Sequence, residues 1–329
     1  MIKTSYWKFS KILNIDEVIQ QINSKLEKDV DEKSKIIINS IDNEDIIKQS
    51  FKISENKIDY ICFKLVYVLK STGNIESETE IVIYYDDELR MNVLRGRQNV
   101  KKYISSYFDE EIWGKIVDDK PGVSEDLLYW VFKSYIDNPR TSISNDNSLY
   151  LSSLKGYRGV TKDQNNSLKG EGDRITEILG TLAFLLNNDL KMIRPKVTYL
   201  INDEKHTVLM DIRLTGTIMF EISEYKGDFN RKYELTKMTY ILSILCSRYI
   251  IPKFISSYNH AIQSKSWSAA LKRDFLKRIG EEIKTRVDIE LDKLDKEIAA
   301  DDNGIQMTLL ETAVGYDEVE IVDVEIDEE

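Results

Sequence analysis

Near the middle of the chain, three acids and a lysine occur in an order that can hold a metal and steer a phosphate. Glu177 lies in ITEILG, Asp211 in HTVLMDIRL, and Glu224 and Lys226 in FEISEYK. Carboxylates bind hard divalent cations through oxygen, and the metal then polarises a phosphodiester and acidifies a bound water. A lysine beside them orients that water and offsets charge developing on phosphorus. The opposed reading is a strand that has run out into solvent, with Glu224 and Lys226 as hydrated charges at its end.

The elements that must position these groups follow one another closely. Asp173 can cap a helix, ITEILGTLAFLLNNDL, whose apolar residues recur at Ile175, Ile178, Leu179, Leu182, Leu185 and Leu186. Strand candidates RPKVTYLI, HTVLMDIRL and TIMFEISEYK come next, separated by the turn signals Asn202-Asp203 and Thr215-Gly216. A second helix, KYELTKMTYILSILCSRY, follows, and YIIPKFISS reads as a fourth strand. This αβββαβ order, with its acids and Glu-x-Lys, resembles the core of the PD-(D/E)XK nucleases over roughly residues 170–257. It looks nearest to the Holliday-junction-resolvase and RecB-type branches. The helix after the third strand resembles a RecB-type helix bearing Gln-x-x-x-Tyr, with Thr236 in the Gln place and Tyr240 in the Tyr place. The resemblance implies Mg²⁺ held by Asp211 and Glu224. It implies catalytic roles for Lys226, at the water and phosphate, and for Glu177, as an outer contact to the metal.

Strand register tests that implication. A tight turn at Thr215-Gly216 sets Asp211 opposite Phe220, about four residues or roughly 13 Å along the strand from Glu224. Sharing one ion requires a loop centred nearer Thr217-Ile218. Two functions stay open on these residues. One is metal-dependent phosphodiester cleavage of nucleic acid, in a setting such as antiviral defence in bacteria or repair. The other is a non-catalytic subunit that binds nucleic acid or protein.

Charge is unevenly spread along the 329 residues: the net value is −11, yet residues 151–280 carry 21 basic and 13 acidic side chains. Within that block, LKGYRGVTKDQNNSLKGEGDR places Lys155, Arg158, Lys162, Lys169 and Arg174 among Gly, Asn and Ser. It reads as a mobile nucleic-acid-binding loop able to close over a phosphate backbone, or as an ordinary solvated linker. Its glycines form neither a P-loop nor a dinucleotide fingerprint. His206 and His260, with Cys62 and Cys246, have no zinc spacing, and His206 reads as a surface residue at a strand start. Both cysteines sit in apolar runs, which points to buried thiols and a reducing compartment. No signal-peptide pattern opens the chain and no run of 18 apolar residues occurs, so the expectation is a cytoplasmic protein without a membrane partner.

The expected fold class is mixed: an α+β domain over 1–145, a restriction-endonuclease-like α/β domain over 151–260, a long amphipathic helix over 261–300 and an acidic tail over 301–329. In the first, IDYICFKLVYVLK and ESETEIVIYY flank STGN as a hairpin, with Ile61, Phe63, Leu65, Tyr67 and Leu69 alternating on one face. The long helix repeats apolar residues from Trp267 to Ile298, enough to pack on its own domain or to engage a second copy or another protein. The tail has nine acidic and no basic residues from 311 onward, interleaved with Val and Ile. Such a segment suits docking on a basic face or sheet edge in competition with nucleic acid, or a disordered solubilising tail.

Overall fold

The computed structural model describes residues 1–302 apart from 26, 42–45, 71–72, 96–99 and 178. The tail expectation therefore lies outside the described residues. The chain is a mixed α/β protein with one large antiparallel sheet and a long C-terminal helix. It divides into two compact units, each assembled from three separate stretches of chain.

The first unit comprises Met1–Ser124, Arg140–Ser152 and Pro195–Ser257. Its N-terminal part contains β1 (Ile2–Phe9), α1 (Ile15–Asn23), β2 (Glu27–Asp31), β3 (Ser34–Asn39), β4 (Gln49–Ile53), β5 (Asn56–Leu69), β6 (Ile75–Tyr85) and β7 (Leu89–Val93). It continues through α2 (Val100–Tyr107), α3 (Glu110–Trp113) and β8 (Ile116–Asp118). The expected hairpin is β5–β6, in register from Asp59 opposite Tyr85 to Leu69 opposite Ile75. Gly73 and Asn74, both at positive φ, turn it. Ile61, Phe63 and Leu65 face a core that also takes Val18 and Ile22 from α1 and Ile104 from α2. Asn14 caps α1 by accepting from the Glu17 backbone N–H at 2.8 Å.

One strand escaped the sequence reading. β1 opens the chain and runs between β13 (Ile218–Gly227) and β7, with Ile2 opposite Phe220 and Ser5 opposite Val93. Thr4, Ser5, Tyr6 and Trp7 are all buried, so the strand has no alternation to betray it.

The remainder of this unit contains the start of β9 (Leu149–Thr161), the end of β11 (Asn188–Ile201), β12 (Glu204–Arg213), β13, α6 (Phe229–Lys232) and α7 (Leu235–Ile244). The expected fourth strand, YIIPKFISS, is helical. A π-helical turn, Leu245–Ile250, runs into α8 (Ile251–Gln263). Ile250, Ile251, Phe254 and Ser257 are buried at helical spacing, a pattern that a short apolar run hides. Pro252 has no N–H, and the wider turn ahead of it spares the helix a bond it cannot make. The continuous helix from Leu235 to Gln263 is long and apolar enough to cross a membrane by length and composition, and two-thirds of that window (67%) is buried inside the protein. It is held to the sheet by Asn92, whose amide donates to Ser243 at 3.2 Å and Ser247 at 3.0 Å.

The second unit comprises Glu125–Pro139, Ser153–Arg194 and the residues from Tyr258 onward. It holds α4 (Glu125–Asp137), most of β9, β10 (Ser167–Glu171), a 3-10 turn (Ile175–Glu177), α5 (Leu179–Asn187) and α9 (Ala269–Asp302). The helix expected from Asp173 is described as two pieces, the 3-10 turn Ile175–Glu177 and α5, and Asp173 is ion-paired with Lys155. The expected mobile basic loop is also corrected. It is a β-hairpin, with Lys169 opposite Arg158 and Glu171 opposite Gly156. Asp126 anchors this unit, accepting from Trp267 Nε1 at 2.6 Å, Tyr258 at 2.8 Å and Lys272 at 3.1 Å.

Candidate nucleic-acid interface

The hairpin of β12 and β13 carries three of the four sequence-selected groups, and its register decides what they can do. Asp211 lies opposite Met219, because the connection is centred on Thr215. Further along, Leu209 faces Glu221 whereas Thr207 faces Lys226, so two steps on β12 match five on β13. Three extra residues make a bulge around Ile222–Tyr225. An odd insertion changes which residues share a face, and it brings Lys226 to the side of Thr207 and Asp211. Lys226 nevertheless lies level with Thr207, about 13 Å along β12 from Asp211. Gly227 closes this end because a Cβ there would lie 2.5 Å from the Lys205 carbonyl and from Tyr225 Oη.

Asp211 and Glu224 do not converge. Asp211 is fully buried and its Oδ2 lies 3.2 Å from Arg213 Nη2. Glu224 is half exposed at the surface and accepts from Lys196 Nζ at 2.8 Å. Glu177 belongs to the other unit, at the exposed end of the 3-10 turn, where its backbone carbonyl accepts from Arg286. Tyr240 is buried in α7. Among the described residues no cluster of three His, Cys, Asp or Glu side chains could hold a metal ion. Asp211 and Glu224 do not fit a shared Mg²⁺ site: one carboxylate is buried beside a guanidinium, and an ammonium engages the other.

The face that carries Lys226 has a different chemistry. Ser152 from β9, Thr198 from β11 and Thr207 from β12 form a hydroxyl ladder, with oxygen separations of 2.8 Å and 3.0 Å. Beside it lies a cleft of about 480 Å³ lined by Arg140, Tyr150, Ser152, Thr198, Leu200 and Lys205. Strand alternation puts these residues together: Tyr150 and Ser152, Thr198 and Leu200, and Lys205 and Thr207 are each two apart. Arg140 has φ of +65°, a left-handed conformation rare for a residue with a side chain, and sits directly after Pro139. Among the described residues, Arg140, Lys205 and Lys226 have no carboxylate partner, and all three are exposed.

Behind that face, His206, Val208, Met210 and Ile212 are buried. His206 is therefore corrected from a surface residue to a core residue, because the alternation of β12 turns it inward. Its Nδ1 lies 2.8 Å from Tyr225 Oη. Burial lowers its pKa despite the opposing pull of Glu204 and Asp228, so the imidazole is held neutral. Cys246 is buried as expected and its thiol is pushed up by burial, while Cys62 is only partly buried.

In the second unit, the basic residues expected to bind nucleic acid divide into two groups. Lys155 is engaged by Asp173 and Lys169 by Glu171 at 2.6 Å. Arg158, Lys162 and Arg174 are exposed without a carboxylate partner among the described residues. Like charges directly across a hairpin destabilise it. Arg158 and Lys169 occupy such a pair.

Sequence reading selected Lys226 but missed Arg140, Tyr150, Ser152, Thr198, Leu200 and Lys205. The available signal was polar residues at every second position of strands whose other face is apolar. No protein-family model matches the chain, and no curated protein matches it.

Proposed function

We propose that this chain is a non-catalytic nucleic-acid-binding protein, with the face of β9, β11, β12 and β13 as its binding surface for a single strand. The observation that carries the reading is three exposed cations without a carboxylate partner among the described residues: Arg140 and Lys205 line the cleft, and Lys226 lies opposite Thr207, the end of the Ser152–Thr198–Thr207 hydroxyl ladder. Cations neutralise backbone phosphates, and Ser152, the partly exposed end of a ladder whose Thr198 and Thr207 are buried, can donate to a phosphate or sugar oxygen without reading sequence. The cleft has room for one nucleotide unit, and Tyr150 with Leu200 offers a base an aromatic and an aliphatic surface. A single strand can reach such a cleft with an unstacked base, whereas a duplex cannot.

The burial of Asp211 beside Arg213 and the engagement of Glu224 by Lys196 support binding over cleavage. The test uses a short labelled single strand and the matching duplex at low salt, first with EDTA and then with Mg²⁺. Expected are binding of the single strand in EDTA, weaker binding of the duplex, unchanged affinity in Asp211→Asn, and an intact strand after incubation with Mg²⁺. Mg²⁺-dependent cleavage that Asp211→Asn abolishes would restore the nuclease reading. Absence of binding at low salt would favour a protein-interaction role.

A further inference from the structure

The long helix α9 packs along only part of its length. Trp267, just before it, and Phe275 and Ile279 within it are buried, and the helix lies against α4 and α5 of its own unit. Arg278 is ion-paired with Asp137, and Arg286 donates to the Glu177 carbonyl at 2.6 Å. Beyond Arg286 the apolar stripe continues into solvent. Val287 is 44% exposed, Leu291 and Leu294 are each 52% exposed, and Ile298 is 59% exposed. A helix face left to water normally carries polar residues, and these four do not follow that rule.

Their spacing of four, three and four residues is a heptad seam, with Leu291 and Ile298 at a positions and Val287 and Leu294 at d positions. The residues beside that seam then select its partner. Asp288 and Asp295 fall at e positions, and Glu290 and Glu297 at g positions. All four are acidic. In a parallel pair of two copies, g of one helix faces e of the other. In an antiparallel pair, e faces e and g faces g. Either arrangement sets carboxylate against carboxylate, so the seam is built against a second copy. The residues from 311 onward, with nine acids and no bases, are repelled for the same reason, as is nucleic acid.

We propose that the distal half of α9 is the docking surface for an amphipathic helix of a different protein, with apolar a and d residues and Lys or Arg at e and g. The apolar seam supplies the attraction, and the acidic flanks exclude the wrong partners. This inference rests on α9 alone and is independent of the nucleic-acid face.

The test uses the full chain and three-heptad synthetic peptides with Leu and Ile at a and d. One peptide has Lys at every e and g position and the other has Glu. The lysine peptide should bind at least about tenfold more tightly than the glutamate peptide, with a difference that shrinks as salt rises. The variant Leu291→Ser/Leu294→Ser alters two exposed residues and keeps every acid, and it should lose at least about tenfold in affinity for the lysine peptide. The chain alone should sediment as a monomer. Equal binding of both peptides, or undiminished binding by the serine variant, would overturn the proposal. So would a homodimer that the serine variant dissociates.

Discussion

Neutralising the three cations of the proposed nucleic-acid face gives the most quantitative check. In Arg140→Gln/Lys205→Gln/Lys226→Gln, three positive charges leave one surface while its hydroxyls and cleft remain. Each phosphate contact contributes about 0.7 to the slope of log K against log salt for a single strand. Losing three should flatten the slope by about 2. If that contribution vanishes near 1 M salt, the same three contacts are worth roughly 100-fold in affinity at about 0.1 M and roughly tenfold at about 0.3 M. Fluorescence anisotropy of a labelled strand across that range reads both numbers. All three side chains are exposed, so folding should change by no more than about 0.5 kcal/mol. The control is Lys101→Gln/Lys115→Gln/Lys120→Gln, which removes the same charge from exposed positions that do not line the cleft. A salt slope that stays put in the first variant, or an equal loss in both, would refute the assignment of phosphate contacts to Arg140, Lys205 and Lys226.

Two further outcomes concern what holds each unit together. Asn92→Ala removes donors that reach Ser243 and Ser247 from a site 1% exposed, and should lower stability by about 1–3 kcal/mol. A urea midpoint that falls without a change in m would show it, and a change under about 0.5 kcal/mol would contradict it. At Asp126, burial works to raise the pKa, but the hydrogen bonds from Trp267, Tyr258 and Lys272 outweigh it and leave the carboxyl below its usual value. The stabilisation is therefore full above the unfolded value near about 3.9 and is lost as pH falls through the folded value. Asp126→Asn should flatten the acid side of the melting-temperature profile, and an unchanged acid slope would deny Asp126 that role.

The sequence was most readable where one face of an element meets water. β5 and β6 alternate, α1 has Asn14 at its cap, and the Asn202 turn sits at positive φ, so each announces itself locally. β1 gave no such sign because four consecutive residues are buried on both faces. YIIPKFISS misled for a related reason: a short apolar run has the same composition in a buried strand and a buried helix, and only its 3–4 spacing of buried positions separates them. The candidate site depended on something no local pattern encodes. The three-residue bulge in β13 changed both the level and the face of Lys226, Lys196 engages Glu224, and the burial of Asp211 beside Arg213 removed the third group. Under the proposed function Lys226 is a phosphate contact.

The pairing of β1 with β13 joins Ile2 to Phe220, a separation of 218 residues along the chain. During synthesis at about 5–20 residues per second, β1 waits roughly 10–45 s for its neighbour to leave the ribosome. Through that interval β7 pairs with Ser5–Lys8 and β8 with Trp7–Phe9, while the amides and carbonyls of Ile2–Thr4 destined for β13 stand open. The nascent protein therefore displays a ready-made template for another strand, and ribosome-bound neighbours on the same message carry the same template. Chaperone engagement should be strongest between the emergence of β7 and that of β13, and slowing translation over that stretch should lower soluble yield more than slowing it after Gly227.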